Sequence, residues 1–351
     1  MKKIYRVFIL AAVLTFCAGF ALLQYQGQRL ERYQAQFFDC FDTVTTITGY
    51  AKSQEDFSQK VGLLQEKLMF YHKLYDIYHT YDGMNNIKNI NDAAGKEVVK
   101  VEPEIIELLK LGRDMYEKTG GEVQIAYGSV LSLWHKYRQE GIEHPDQAEL
   151  PPQEELNRRA KHTNMEKMIL DEKASTVYLS DKEMSLDVGS IGKGYAVSRL
   201  AEYAREIGME HVLISVGGNV CAVGGKADGT PWNVGVENPD SSSSQPYMCS
   251  VELENQSIVT SGDYQRYYEV EHVRYCHIID PDTNMPPDYF SSVSVQTKDS
   301  GQADALSTAL FNMEYKVGLS LVERLPDVEA MWIGKDGKIR CSSGFKCNEK
   351  K

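Results

Sequence analysis

The sequence lacks several features that would assign it at once to a common class of protein. Its seven cysteines include no C-x-x-C pair, so nothing indicates a structural zinc site. Basic residues are scarce, with 38 Lys and Arg against 50 Asp and Glu, and the net charge is −12. A protein this acidic is poorly suited to bind nucleic acid, because neutralising phosphates supplies most of that affinity. Internal repeats and abrupt changes of composition are also absent, so we expect one large domain over residues 31–351.

A long apolar run occurs at the N-terminus, over residues 7–23, and follows Lys2, Lys3 and Arg6. Basic residues before an uncharged apolar stretch are typical of a signal peptide or a membrane anchor, and we assign residues 1–30 to this segment. Cys17 leaves a lipid anchor as an alternative, although the bulky Phe16 precedes it. We therefore expect the protein at the cell membrane, on its extracytoplasmic face, anchored by this segment or as a lipoprotein.

The spacing of apolar residues predicts helices over residues 55–78 and 103–119. Pro103 suits the first turn of the second helix, and Gly120 suits its end. Residues 193–207 predict a third helix, closed by Gly208. Asp336 and Gly337 between two apolar segments predict a hairpin. Early helices, a late hairpin and the lack of a regular βαβ alternation together indicate an α+β fold.

The stretch D-V-G-S-I-G-K-G-Y-A-V at residues 187–197 contains three glycines and a lysine. Gly189 and Gly192 stand too close together for a P-loop, and the segment lacks the βαβ setting of a dinucleotide fingerprint. A strand-like segment enters the glycine turn and a helix begins near Lys193, so backbone N–H groups at the helix start could bind an anion. The alternative is a tight structural turn.

A second candidate site lies in A-D-A-L-S-T-A-L at residues 303–310, which is typical of the start of a helix. Asp304 and Thr308 are four residues apart and so lie on one face, with Ser307 beside them. A carboxylate and a hydroxyl in this arrangement could hold a magnesium ion through oxygen. The alternative is that Asp304 caps the helix and Thr308 bonds back into it.

His277 lies in R-Y-C-H-I-I-D-P at residues 274–281, after a strand-turn-strand pattern that contains T-S-G-D. An ordinary histidine pKa of about 6.5 suits proton acceptance at neutral pH, so His277 is a candidate base or ligand. A lone histidine on a strand is more often structural. Asp280, which precedes a proline, is more typical of a turn.

In order and spacing, these segments resemble the motifs of the ApbE family of FAD:protein FMN transferases, over nearly all of the chain after residue 36. The 187–197 stretch is similar to the family's D-[LV]-G-[GAS]-[IV]-[AG]-K-G-[YF]-A, and T-S-G-D, H-I-I-D-P and A-D-A-L-S-T-A each match a family motif. S-V-G-G-N at residues 215–219 and T-G-G-E-V-Q at residues 119–124 are similar to two further glycine motifs. The chain departs from the family at Phe41 and Asp42, which replace Met and Gly, at Gln124, which replaces an acid, and at Ser307, where many relatives have a second acid.

The resemblance implies that the protein uses Mg²⁺, takes FAD, transfers FMN to a Thr or Ser hydroxyl of an acceptor protein and releases AMP. The implied acceptors are subunits of Rnf- or Nqr-type membrane redox complexes, or secreted flavoproteins. The implied fold is a single α+β domain of mostly antiparallel sheet with packed helices and an FAD cleft.

The resemblance also implies a role for each site residue. Asp304, Thr308 and the backbone carbonyl of Ser190 would hold the metal. His277 would act as the general base, or would orient the acceptor hydroxyl. The implied FAD contacts are Phe41, Gly120, Gly121, Glu122, Asp187, Lys193 and Ser307.

Two other functions use the same residues. One is a Mg²⁺-dependent FAD pyrophosphatase, in which water replaces the acceptor hydroxyl. The other is a flavin-binding lipoprotein without catalysis, and the intact Asp304, Thr308 and His277 argue against it.

Overall fold

The structure is a computed structural model that describes residues 30–349 of the chain. The signal or anchor segment predicted at residues 1–30 lies outside this part except for its last residue. Within residues 30–349, no helix is both long enough and apolar enough to cross a membrane.

The elements alternate irregularly between helix and strand, as an α+β chain does. The helices are α1 (Gln54–Tyr75), α2 (Ile87–Asp92), α3 (Pro103–Thr119), α4 (Gly128–Glu143), α5 (Gln153–Arg159), α6 (Gly192–Glu206), α7 (Ser300–Asn312) and α8 (Tyr315–Val322). The strands are β1 (Glu31–Cys40), β2 (Thr43–Ala51), β3 (Val99–Lys100), β4 (Met168–Asp171), β5 (Thr176–Leu179), β6 (Val212–Val216), β7 (Asn219–Val223), β8 (Trp232–Glu237), β9 (Tyr247–Leu253), β10 (Ser257–Gly262), β11 (Tyr267–Val270), β12 (Val273–Cys276), β13 (Phe290–Thr297), β14 (Glu329–Gly334), β15 (Ile339–Cys341) and β16 (Asn348–Glu349).

The main sheet has eight strands in the order β1-β2-β6-β7-β10-β13-β14-β15, and every neighbouring pair is antiparallel. Three smaller sheets are also antiparallel: β16-β9-β8, β3-β5-β4 and the hairpin β11-β12. The predicted α+β fold with a mostly antiparallel sheet is thus confirmed.

The main sheet buries both of its faces. Helices α1, α6 and α7 pack on one face, and the β16-β9-β8 sheet shares a core with the other. Side chains along β14 alternate between the two cores: Ala330 and Trp332 face the helices, whereas Met331 and Ile333 face the smaller sheet. This alternation follows from the two-residue period of a strand. A third, smaller core around Trp134 joins α4, α5 and the β11-β12 hairpin.

Helix ends agree with the sequence predictions where the local capping signals are strong. Helix α3 spans the predicted residues 103–119, and Gly120 follows it in the left-handed conformation with φ 67°. Helix α1 begins at Gln54, because the side chain of Ser53 accepts the N–H of Asp56, and it ends before the predicted residue 78. Helix α6 begins at Gly192 and is followed by Gly208 with φ 74°.

The prediction that helix α7 starts at residue 303 is wrong. The helix begins at Ser300, because Asp299 caps it by accepting the N–H of Gln302 at 2.8 Å. Asp304 therefore lies in the second turn and is not a cap. This placement leaves the Asp304 carboxyl free to meet another element.

Two tight turns join neighbouring strands of the main sheet. The β1-β2 turn is made by Phe41 and Asp42, both with positive φ (55° and 50°), a conformation that Asp tolerates better than most residues. The β14-β15 hairpin predicted at Asp336 and Gly337 is confirmed, with Gly337 at φ 73°.

Candidate active site

A cleft of about 540 Å³ opens where the small core around Trp134 meets the helical side of the main sheet. Most of the site residues predicted from the sequence line it. They are Phe41, Glu122, Asp187, Ser190, Lys193, His277, Asp304 and Thr308. Residues from five separate stretches of the chain therefore converge on one cavity, whose size is in the usual range for ligand sites.

Asp304 is the buried acid of this cleft. Only 5% of its surface is exposed, and its carboxylate accepts the backbone N–H of Gly194 at 2.8 Å. Burial raises the pKa of Asp304, while the Lys193 charge and the Gly194 N–H act in the opposite direction. The side-chain amide of Asn219 lies beside the Asp304 carboxyl. Its buried Nδ2 has no hydrogen-bond partner of ordinary geometry within residues 30–349.

A backbone N–H in the first turn of helix α6 binds the carboxylate of the protein's own Asp304. The sequence predicted free N–H groups there, but the N–H of Gly194 is already bonded to Asp304. Gly194 also allows this approach, because a Cβ at that position would clash with the carbonyl of Ser300 and the Cβ of Asp304. The turn before the helix is held by Asp187, whose side chain accepts the N–H of Gly189 at 2.9 Å. Helix α6 and helix α7 are thus joined at the acid.

The oxygen donors around Asp304 suit a hard cation. Ser190 and Thr308 line the same cleft and are half-buried. Residues 30–349 contain no cluster of three or more His, Cys, Asp and Glu side chains of the kind that holds zinc. Among the described residues the Asp304 carboxylate forms no ion pair, and together with hydroxyl and carbonyl oxygens it is compatible with Mg²⁺, which keeps several waters and needs few protein ligands.

Ser307, a predicted FAD contact, does not line the cleft. It is fully buried, and its hydroxyl hydrogen-bonds to the hydroxyl of Ser261 at 2.8 Å and to the carbonyl of Asp304 at 2.9 Å. Ser261 itself does line the cleft. Ser307 therefore supports the wall behind the cavity.

Gly120 and Gly121 also lie outside the lining. Both have positive φ, 67° and 106°, and they turn the chain from helix α3 toward Glu122, which does reach the cleft. One oxygen of Glu122, Oε2, is buried without a hydrogen-bond partner in residues 30–349. Burial, and then the carboxylates of Asp280 and Asp282, raises the pKa of Glu122 to about 7. Gln124 lines the cleft as well, and its Oε1 accepts the N–H of Ala126.

His277 stands one residue beyond the end of strand β12. Its backbone N–H donates to the carbonyl of Arg266 at 3.0 Å, and Nδ1 lies 3.2 Å from the same oxygen. With Nδ1–H as the donor, Nε2 carries the lone pair and remains available to a ligand.

The expected pKa of about 6.5 for His277 is wrong for this environment. Burial, followed by the positive charges of Lys193, Arg138 and Arg266, lowers the pKa of His277 to about 3. The imidazole is therefore neutral at physiological pH while the cleft holds no anion.

The sequence prediction missed a group of cleft residues on helix α4 and around it. Leu131, His135 and Arg138 line the cavity from one helix face, with Arg266 nearby. His135 bridges Tyr78 and Asp187: its Nδ1 lies 3.0 Å from the Tyr78 hydroxyl, and its Nε2 lies 3.9 Å from the Asp187 carboxylate. The spacing of positions 131, 135 and 138 is the signal that could have revealed this face.

Comparisons with known proteins agree with each other. A model of the ApbE family matches residues 41–332. The chain is 31% identical over 260 residues to the FAD:protein FMN transferase of Klebsiella pneumoniae (strain 342), which covers 74% of this chain and 78% of that protein. It is 32% identical over 270 residues to the FAD:protein FMN transferase of Treponema pallidum (strain Nichols), with coverage of 73% and 72%. The crystal structure of the ApbE protein of Thermotoga maritima MSB8 aligns with a TM-score of 0.79 at 29% identity, over 92% of this chain and 100% of that one.

Proposed function

The chain belongs to the ApbE family, and on that premise we propose that it is an FAD:protein FMN transferase. It moves FMN from FAD to a Thr or Ser hydroxyl of an acceptor protein and releases AMP. The observation that carries the proposal is the convergence of Asp304, Lys193 and His277 on one cleft. In this cleft Asp304 can bind a metal cation, Lys193 can bind a phosphate group, and the neutral His277 can accept the proton of a hydroxyl.

His277 is the group that receives the hydroxyl proton. The oxygen of the acceptor forms a bond to the FMN phosphorus while the bond from that phosphorus to the AMP oxygen breaks, and the electron pair leaves with AMP. The bond from Nδ1 to the carbonyl of Arg266 keeps Nε2 as the acceptor of the proton. A pyrophosphate beside Lys193 would offset the charge of that lysine, and this raises the pKa of His277 toward a value suited to a base.

Asp304, Thr308 and the carbonyl of Ser190 would hold Mg²⁺, which neutralises pyrophosphate charge when bound. The chain's own contribution is to place these oxygens through the contact between helices α6 and α7. Lys193 lies beside Asp304 and would draw the phosphates toward the same corner of the cleft.

The outward-facing side of the cell membrane is the proposed location, because the apolar N-terminal run of the sequence follows basic residues. That location suits acceptors in Rnf- or Nqr-type membrane redox complexes, or secreted flavoproteins. The net charge of −12 argues against nucleic acid as a partner.

The test is incubation with FAD, Mg²⁺ and a candidate acceptor domain, followed by intact mass spectrometry of the acceptor. An added FMN supports the transferase. Asp304→Asn should abolish the addition, because it removes the only acid among the proposed metal ligands. Lys136→Gln on the solvent side of helix α4 is the matched control and should leave it intact. Release of FMN and AMP with no acceptor mass change would instead identify an FAD pyrophosphatase, and FAD that persists unchanged would identify a flavin-binding protein.

A further inference from the structure

We propose that Arg138 and Arg266 form a second phosphate-binding site in the cleft, apart from the metal ligands, and that it takes a phosphate group of the flavin or adenine nucleotide. The inference rests on the proposed function for the identity of the nucleotide. It does not depend on transfer taking place.

The two guanidinium groups reach the same cavity from different parts of the chain. Arg138 comes from helix α4, and Arg266 lies between strands β10 and β11. Within residues 30–349, neither side chain forms an ion pair within 4 Å. On helix α5, by contrast, Arg158 and Arg159 both pair with Glu155. The cleft arginines are thus unneutralised cations in a chain whose net charge is −12.

The groups around the pair offset only part of its charge. His277 and His135 are held neutral, since burial and the arginine charges lower the pKa of both rings. Asp187 is the acid that faces this part of the cleft, and it lies 3.9 Å from His135. Lys193 adds a further positive charge near His277. The local charge therefore favours an anion.

Placing two guanidinium groups together has a cost that the fold offsets only in part. Burial lowers the pKa of Arg138 and the charge of Arg266 lowers it further, whereas Tyr78 and Asp187 act in the opposite direction. A phosphate group reverses this cost, because a guanidinium presents paired N–H donors that match two phosphate oxygens. Two guanidinium groups together offer more paired N–H donors than one carboxylate can accept, so they suit a phosphate ester better.

The site also has a place in the reaction. When the hydroxyl oxygen bonds to the FMN phosphorus and its proton moves to His277, the bond to AMP breaks and the AMP phosphate gains negative charge. FMN and AMP each carry a phosphate afterwards. A metal-independent phosphate site next to His277 would retain one of them.

Metal-free binding tests the proposal directly. AMP and FMN are titrated separately, by calorimetry in EDTA, into the purified protein and into Arg138→Gln, Arg266→Gln and the control Lys136→Gln. We expect at least one nucleotide to bind the wild type, and each arginine variant to bind it about 10–100-fold more weakly, which is the loss of one charge-assisted hydrogen-bonded contact. Lys136→Gln makes the same charge change on the same helix and should bind as the wild type does.

The two nucleotides separate the possible sources of the phosphate. Loss confined to AMP assigns the site to the departing nucleotide, and loss confined to FMN assigns it to the transferred one. Unchanged affinity for both in both arginine variants overturns the proposal, as does the absence of any metal-free binding by the wild type. If a glutamine variant fails to fold, Arg138→Lys and Arg266→Lys keep the charge but lose the fork, and they should still weaken binding.

Discussion

The bond from Nδ1–H of His277 to the carbonyl of Arg266 determines which ring nitrogen meets a reacting hydroxyl. The same segment brings the Arg266 charge close to the ring, and burial, followed by the charges of Lys193, Arg138 and Arg266, lowers the pKa of the imidazole to about 3. The neighbours of His277 therefore set both the orientation of its ring and its pKa. Glu122 is the opposite case, a carboxyl held partly protonated by burial and by other acids.

His277→Ala should lower the transfer rate by roughly 10²–10⁴-fold at saturating FAD and acceptor, with little change in FAD affinity. Because the pKa of His277 in the free enzyme is about 3, any acid limb in kcat/KM above about pH 5 must come from another group. That limb should therefore persist in the variant. Single-turnover rates, FAD affinity and melting temperature measured on one preparation test this. A normal rate per folded molecule with a lowered melting temperature would make His277 structural.

Glu122→Gln should change stability in a pH-dependent way. The folded-state pKa of about 7 exceeds the ordinary value of 4.5, so the folded protein binds this proton more tightly than the unfolded chain does. The contribution of the Glu122 carboxyl to the free energy of unfolding is fully present below pH 4.5 and is lost as the pH rises to about 7. The variant should be more stable than the wild type above pH 7 by about 1–2 kcal/mol, a figure reduced for the partly exposed carboxyl, and should match it in acid.

Urea unfolding at several pH values measures this difference. Glu117→Gln, an exposed change on helix α3, is the control and should show no such pH dependence. A constant difference between Glu122→Gln and the wild type across the pH range would contradict the assignment.

At the scale of elements, the site depends on how closely helices α6 and α7 approach. Gly194 lies against Ser300 and Asp304, and its N–H donates to the Asp304 carboxylate. The acid, its neutralising N–H and Lys193 are therefore positioned by one helix-helix contact. The sequence pattern placed Asp304 and Thr308 on one face of a helix, but the helix start three residues earlier and the contact with Gly194 depend on tertiary packing.

Gly194→Ala should separate these helices. The added Cβ has no space beside the Ser300 carbonyl, and overpacking of this kind costs about 1–3 kcal/mol. We expect a lower melting temperature together with weaker stabilisation by added Mg²⁺, because Asp304 moves with helix α7. Gly62→Ala on helix α1 is the control: nothing lies within 4 Å of its Cβ, so it should gain about 0.5–1 kcal/mol and keep its activity. Equal behaviour of the two variants would show that the close contact is not needed.

At the scale of the whole molecule, the sequence predicted those features that depend on residues close together in the chain. Capping or turn residues mark helix α3, the end of helix α6 and the β14-β15 hairpin. The order of these elements in turn indicates the α+β class. The two-sided packing of the main sheet and the cationic wall of Arg138 and Arg266 carry no such signal, because they arise when distant segments meet. The lowered pKa of His277 has the same origin, since its burial and the charges of Lys193, Arg138 and Arg266 come from separate segments that meet at the ring.

The apolar N-terminal segment should be separable from the domain. The described fold starts with strand β1 at Glu31, and the family match begins at residue 41. Deleting residues 1–30 leaves strand β1 and every cleft residue in place, so the truncated protein should fold, bind FAD and transfer FMN at the full-length rate. It should also remain in the supernatant when membranes are pelleted, whereas the full-length protein should sediment with them, because the deleted run is the long apolar stretch that follows the basic residues. Sedimentation with cell membranes, FAD binding and acceptor mass spectrometry on both forms make the test. A truncated protein that fails to fold would mean that the segment packs on the domain. Full-length protein found only in the soluble fraction would contradict the prediction that residues 1–30 are a membrane anchor.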